Sequence, residues 1–109
     1  MTDLKSQLKA ILERHKGRGM AITSRELSDL TGQPDRAIRL AIEDLLDEGM
    51  PICASTKRPA GYFIVSTLQE KTEYEQTMKS RIIGNAHRLK LFKRSAAHYL
   101  RPAEQARLI

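Results

Sequence analysis

The sequence predicts a mainly α protein of the α+β class, with a small antiparallel hairpin and a long C-terminal helix. Three observations predict it. The stretch SRELSDLTG runs straight into QPDRAIRLAIEDLLDEG, two helix-periodic segments parted by a turn at Gly32. Two short apolar runs, Ile52–Ala54 and Tyr62–Val65, are joined by the polar stretch Ser55–Gly61, the pattern of a hairpin with a long tip. From Thr67 to Tyr99 there is no proline, and apolar residues recur at helical spacing.

Each element has its own justification. A first helix is expected from Asp3 or Leu4 to about His15, because Leu4, Leu8, Ile11 and Leu12 share one face. Thr2 or Asp3 can accept the free N–H groups of its first turn. Lys16-Gly17-Arg18-Gly19 ends it. Met20–Thr23 is expected as a minor strand that pairs with the hairpin. Ser24 suits the N-cap of the second helix, with Leu27 and Leu30 facing inward, and Gly32 breaks it. Pro34 fits the first turn of the third helix, where its missing N–H costs nothing. Ile38, Ile42, Leu45 and Leu46 form that helix's apolar stripe, Ala41 allows close packing, and Gly49 closes it. Thr67 and Glu70 have the spacing of a capping box at the start of the long helix, whose weakest point is Gly84-Asn85. Arg101–Ile109 is expected to fray.

The chain divides on this reading into residues 1–66 and a basic helix with its tail, residues 67–109. Its 109 residues suffice for one modest core. Cys53 is the single cysteine, so no internal disulfide forms, which fits a reducing compartment. The N-terminus lacks the order of a signal peptide, and no apolar run is long enough to span a membrane. A cytoplasmic location is the expectation.

The formal net charge is +6, which favours polyanionic partners. The charge is uneven. Residues 1–65 carry 10 basic and 9 acidic side chains, whereas residues 66–109 carry 9 and 4. From Lys79 to Arg101 there are seven basic residues and no acid. That stretch can extend a nucleic-acid footprint, pair with the acidic end of the third helix (Glu43, Asp44, Asp47, Glu48), or be the solvated outside of a coiled coil. Tyr74, Met78, Ile82, Asn85, Leu89, Phe92, Ala96 and Tyr99 make a seam with coiled-coil spacing from Ile82 onward. It suits a homodimer interface, with folding back on the first helix as the alternative.

The segment ELSDLTGQPDRAIRLAIEDLLDEGMPI resembles the helix-turn-helix of the winged helix-turn-helix family, in its biotin-repressor-like and DeoR-like branches. PICASTKRPAGYFIV is similar to the wing of that family. The likeness covers about residues 4–65. More loosely, a short winged helix followed by a basic helix resembles small phage and prophage proteins. The resemblance implies double-stranded DNA binding, with a recognition helix over about residues 34–48 in the major groove and the wing, about residues 55–61, on the backbone. It implies a small transcriptional regulator or a phage-type replication accessory.

The candidate DNA-contacting residues are then Gln33, Arg36 and Arg39 on the recognition helix, Arg25 at the start of the helix before it, and Ser55, Thr56, Lys57 and Arg58 at the wing. Arg36 and Arg39 share a face and can reach guanine edges. The same spacing also allows an Asp35–Arg39 ion pair on an ordinary solvated face. Leu40 reads no base unless it meets a thymine methyl. Two further readings compete: a protein-interaction adaptor, suggested by the near-neutral first half, and RNA binding through the basic C-terminal helix. Nothing points to an enzyme. His15, His87 and His98 lie far apart, Cys53 reads as a small core residue, and no phosphate loop or nucleophile motif is present. No cofactor, metal or small-molecule ligand is expected.

Overall fold

A computed structural model describes residues 3–100. Thr2, the alternative cap, and the tail 101–109 lie outside the described residues. The described chain holds four α-helices, α1 (Leu4–Leu12), α2 (Ser24–Thr31), α3 (Asp35–Asp47) and α4 (Leu68–Tyr99). One antiparallel sheet is formed by β1 (Ile52–Ser55) and β2 (Gly61–Ile64). The mainly α, α+β class is thus observed. No described helix is long and apolar enough to cross a membrane. The chain falls into two compact units, residues 1–74 and 75–109, divided within α4.

In the first unit, α1 and α2 both pack on α3. Leu8, Leu12, Leu27, Ile38 and Leu45 are sealed from solvent, and Ile22, Ala41, Ile42, Ile52 and Ile64 complete the cluster. Alternation along the strands divides the hairpin's side chains. Ile52 pairs with Ile64 facing this core, while the neighbouring pair, Cys53 with Phe63, is buried outside the main cluster.

Several local expectations need correction. Helix α1 stops at Leu12 rather than His15, because the chain turns there so that the His15 carbonyl can accept from Ile64 N–H (2.9 Å). The expected strand Met20–Thr23 shrinks to one bridge. Arg18–Met20 is a 3₁₀ turn, and only Ile22 pairs with Tyr62, through N–H···O bonds of 2.9 and 2.7 Å. The cap of α2 is Thr23, not Ser24. Its hydroxyl accepts from Glu26 N–H (3.1 Å) and the Glu26 carboxylate accepts from Thr23 N–H (3.2 Å), a full capping box one residue earlier than expected. Pro34 is the N-cap of α3 rather than a member of its first turn. Leu30 and Leu46 are exposed, not core. The buried side of α2 runs through Leu27 and half-buried Thr31, so Leu30 falls outside it. On α3, Leu46 lies at the rim of the stripe formed by Ile38, Ala41, Ile42 and Leu45.

The start of α4 is tied to the 3₁₀ turn by one carboxylate. Glu70 accepts from Arg18 N–H (2.9 Å), Ser66 N–H (2.9 Å) and the Ser66 hydroxyl (3.0 Å). These bonds, Arg18 first, hold its carboxyl below the usual range. Thr67 caps the helix by accepting from Glu70 N–H (3.0 Å), as expected.

Candidate nucleic-acid interface

Gly32 adopts φ 73°, a left-handed conformation that costs glycine little, and so only three residues separate α2 from α3. The connection is stitched by side chains. Thr31 Oγ1 donates to the Leu27 carbonyl (2.8 Å) and accepts from Gln33 N–H (3.3 Å), while the Ser28 hydroxyl donates to the Gln33 carbonyl. Both helices are thereby held in fixed orientation, which a groove-reading helix requires.

The exposed N-terminal half of α3 carries Arg36 and Arg39, with Gln33 exposed just before it. Arg36 enters no ion pair among the described residues. Arg39 Nε lies 2.9 Å from Asp35 Oδ2, with the two side chains 68% and 49% exposed. An exposed i,i+4 pair is worth only about 0.3–0.5 kcal/mol. Arg39 can therefore leave Asp35 for a phosphate at small cost. Apart from Asp35, the acids of α3 lie from Glu43 onward, with Asp47 about 16 Å along the axis from Arg36 at 1.5 Å per residue. That far end lies beyond the physiological Debye length of about 8 Å from Arg36, whereas Glu43, one turn from Arg39, lies within it. Lys5 of α1 pairs with Glu48 at the acidic end, and this contact, then the nearby charges of Glu48 and Asp44, raises the Lys5 ammonium above its usual range.

The hairpin packs through β2 on α1 and the 3₁₀ turn, with Tyr62 half-buried against the core cluster. Burial raises the Tyr62 hydroxyl, and the charges of Arg39 and Asp35 also reach it, the first lowering and the second raising it. The hairpin base is fixed against residues 22–23. Gly61 has φ 126°, and a Cβ there would stand 2.2 Å from the Ile22 carbonyl oxygen. At the tip, Thr56, Lys57 and Arg58 are exposed. Ser55 is half-buried and committed to the turn. Its hydroxyl donates to the Lys57 carbonyl (3.0 Å) and accepts from Lys57 N–H (3.2 Å), so it shapes the tip rather than offering a free donor. Arg25 is exposed in the first turn of α2.

Tyr62 and Glu70 escaped sequence reasoning. Alternation marked Tyr62 only as a strand residue, and Glu70 only as a local cap; its bond to Arg18, 52 positions away, has no local signature. The basic side chains Lys79, Arg81, Arg88, Lys90, Lys93 and Arg94 are exposed along α4, and Arg101 lies outside the described residues. Cys53 is buried, and burial first, then the Glu70 charge, raises its thiol. Among the described residues no three His, Cys, Asp or Glu side chains gather in a metal-binding group.

Comparisons with protein-family models, with curated proteins and with solved structures each find no match to this chain.

Proposed function

We propose that the protein binds double-stranded DNA as a winged helix, with α3 in the major groove and the β1–β2 tip on the flanking backbone. The observation that carries this reading is that one compact unit exposes two basic elements, a helix after a tight turn and a hairpin tip. Exposed Arg36 and Arg39 occupy the N-terminal half of α3, and exposed Lys57 and Arg58 form the tip between β1 and β2. The N-terminal residues of a recognition helix are the ones that reach base edges, and a bidentate Arg–guanine contact discriminates by about 1–3 kcal/mol. Lys57 and Arg58 supply phosphate contacts, which give affinity without base choice. A small regulator and a phage-type replication accessory both fit this mechanism.

Two double variants test the division of labour in duplex-binding titrations. Arg36→Ala with Arg39→Ala is expected to abolish preference among duplex sequences while leaving substantial non-specific binding. Lys57→Ala with Arg58→Ala is expected to weaken binding to every duplex and to lower the slope of log affinity against log salt by about 1–2. Unchanged binding in both variants refutes the assignment.

A second reading has its own support. Leu30 on α2 and Leu40 on α3 are 63% and 55% exposed, and apolar side chains flanking a helix pair suit a protein partner. On this adaptor reading, association persists at high salt, whereas duplex binding collapses.

A further inference from the structure

The second unit presents an apolar stripe that is exposed among the described residues. In α4, Met78, Ile82, Leu89, Phe92, Ala96 and Tyr99 follow alternating steps of four and three residues, with Asn85 taking the place between Ile82 and Leu89. The side chains of Ile82, Phe92 and Tyr99 are 64%, 65% and 83% exposed. Steps of this kind keep one face of a helix in line with a second helix over its length, in three heptads here.

We propose that this stripe pairs in parallel, in register, with the same stripe of a second copy of the chain. The inference is independent of the DNA-binding reading. Asn85 selects the occupant. An amide buried alone among apolar side chains is costly, but two amides facing each other satisfy one another and fix register. Among pairings that use the whole stripe, only a parallel, in-register copy brings Asn85 opposite Asn85. In an antiparallel pair centred on the stripe, Asn85 faces Phe92 and its amide is stranded.

The flanks determine how the pair responds to salt. Ile82 and Leu89 take the a positions and Asn85 and Phe92 the d positions, which puts Lys79 and Lys93 at e and Arg81 and Arg88 at g. In the parallel pair Arg88 of one copy faces Lys93 of the other, twice by symmetry, while Arg81 faces Ala86. No acid between Lys79 and Arg101 offsets this repulsion. Salt screens it, so the dimer tightens as ionic strength rises, the opposite of the response of DNA binding.

Sedimentation equilibrium of the full chain tests the proposal. The wild type is expected to show a monomer–dimer equilibrium that tightens several-fold between about 0.05 and 0.5 M salt. Arg88→Glu turns both repulsive contacts into attractive ones and is expected to tighten the dimer roughly tenfold and remove the salt dependence. Leu89→Asp with Phe92→Asp is expected to be monomeric. A wild type that stays monomeric at every concentration and salt, including one that pairs only with an added acidic helix, overturns the proposal. So does an Arg88→Glu dimer no tighter than wild type, since antiparallel pairing would keep like charges opposed.

Discussion

The two units differ in where they keep their apolar residues and their charge. Residues 3–74 bury ten hydrophobic side chains in one cluster, and the chain to residue 65 is nearly neutral, with 10 basic against 9 acidic groups. In the second unit α4 has no buried residue, and six basic side chains lie exposed between Lys79 and Arg94. Stability and association are therefore separable in this chain. The first unit holds its own fold through apolar burial. The second exposes apolar and charged groups, which the proposed pairing with a second copy would bury or oppose. Substitutions ought to sort accordingly, with stability effects in the first unit and association effects in the second.

The largest expected break comes from the core and its closest backbone approach. Leu27→Ala is expected to cost about 2–5 kcal/mol, since the side chain is sealed and the cavity can collapse only in part. Gly61→Ala should cost roughly 3 kcal/mol or more, combining a left-handed φ with a clash on the Ile22 carbonyl. Ile83→Ala, in the exposed part of α4, should by contrast shift stability by no more than about 0.5 kcal/mol. Urea unfolding of the three variants draws the contrast, and a large loss in Ile83→Ala would remove it.

Glu70→Ala comes next. It removes the acceptor shared by Arg18 and Ser66, and about 1–2 kcal/mol is expected from charge-assisted hydrogen bonds at a half-buried site. The same group makes a pH prediction. Its carboxyl is held below the usual range in the folded chain, so the unfolded chain binds its proton first as pH falls. The stabilisation is full above the ordinary carboxylate range and is lost as pH drops through that range toward the lowered folded value. Wild type and Glu70→Gln should therefore converge in stability at acid pH. A constant gap down to the lowest pH would show that the carboxylate charge is immaterial.

Thr23→Ala is expected to cost about 1 kcal/mol through loss of the α2 cap, and Ser24→Ala distinctly less. The smallest stability effect is Asp35→Ala, at most about 0.5 kcal/mol, yet this variant should bind duplex DNA more tightly because it frees Arg39. Weaker binding would mean that Asp35 orients Arg39 for its contact.

Much of this architecture was legible in local pattern. Gly32, Gly49, the hairpin and the uninterrupted helix to Tyr99 all follow from turn residues and periodicity, and the structure has them. Other features depended on information that periodicity lacks. Leu30 and Leu46 have helical spacing, but which edge of an apolar stripe is covered depends on how a neighbouring helix crosses it. Thr23 and Ser24 are both competent caps, and the choice went to the residue with a glutamate three positions on. The link from Arg18 to Glu70 is a tertiary contact between the 3₁₀ turn and the first turn of α4. Within the candidate interface, the Arg36–Arg39 face and the Asp35–Arg39 pair were both foreseeable from spacing. The use of the Ser55 hydroxyl within the tip and the half-burial of Tyr62 against the core needed the fold.

The central claim, that nucleic acid meets α3 and the hairpin tip, is tested most directly by backbone amide chemical shifts of the isotope-labelled protein titrated with duplex DNA. The account predicts perturbations concentrated at Arg25, residues 33–40 and residues 55–60, with the acidic end from Glu43 to Glu48 left quiet. Perturbations confined to Lys79–Arg94, or none at all at low salt, would contradict it.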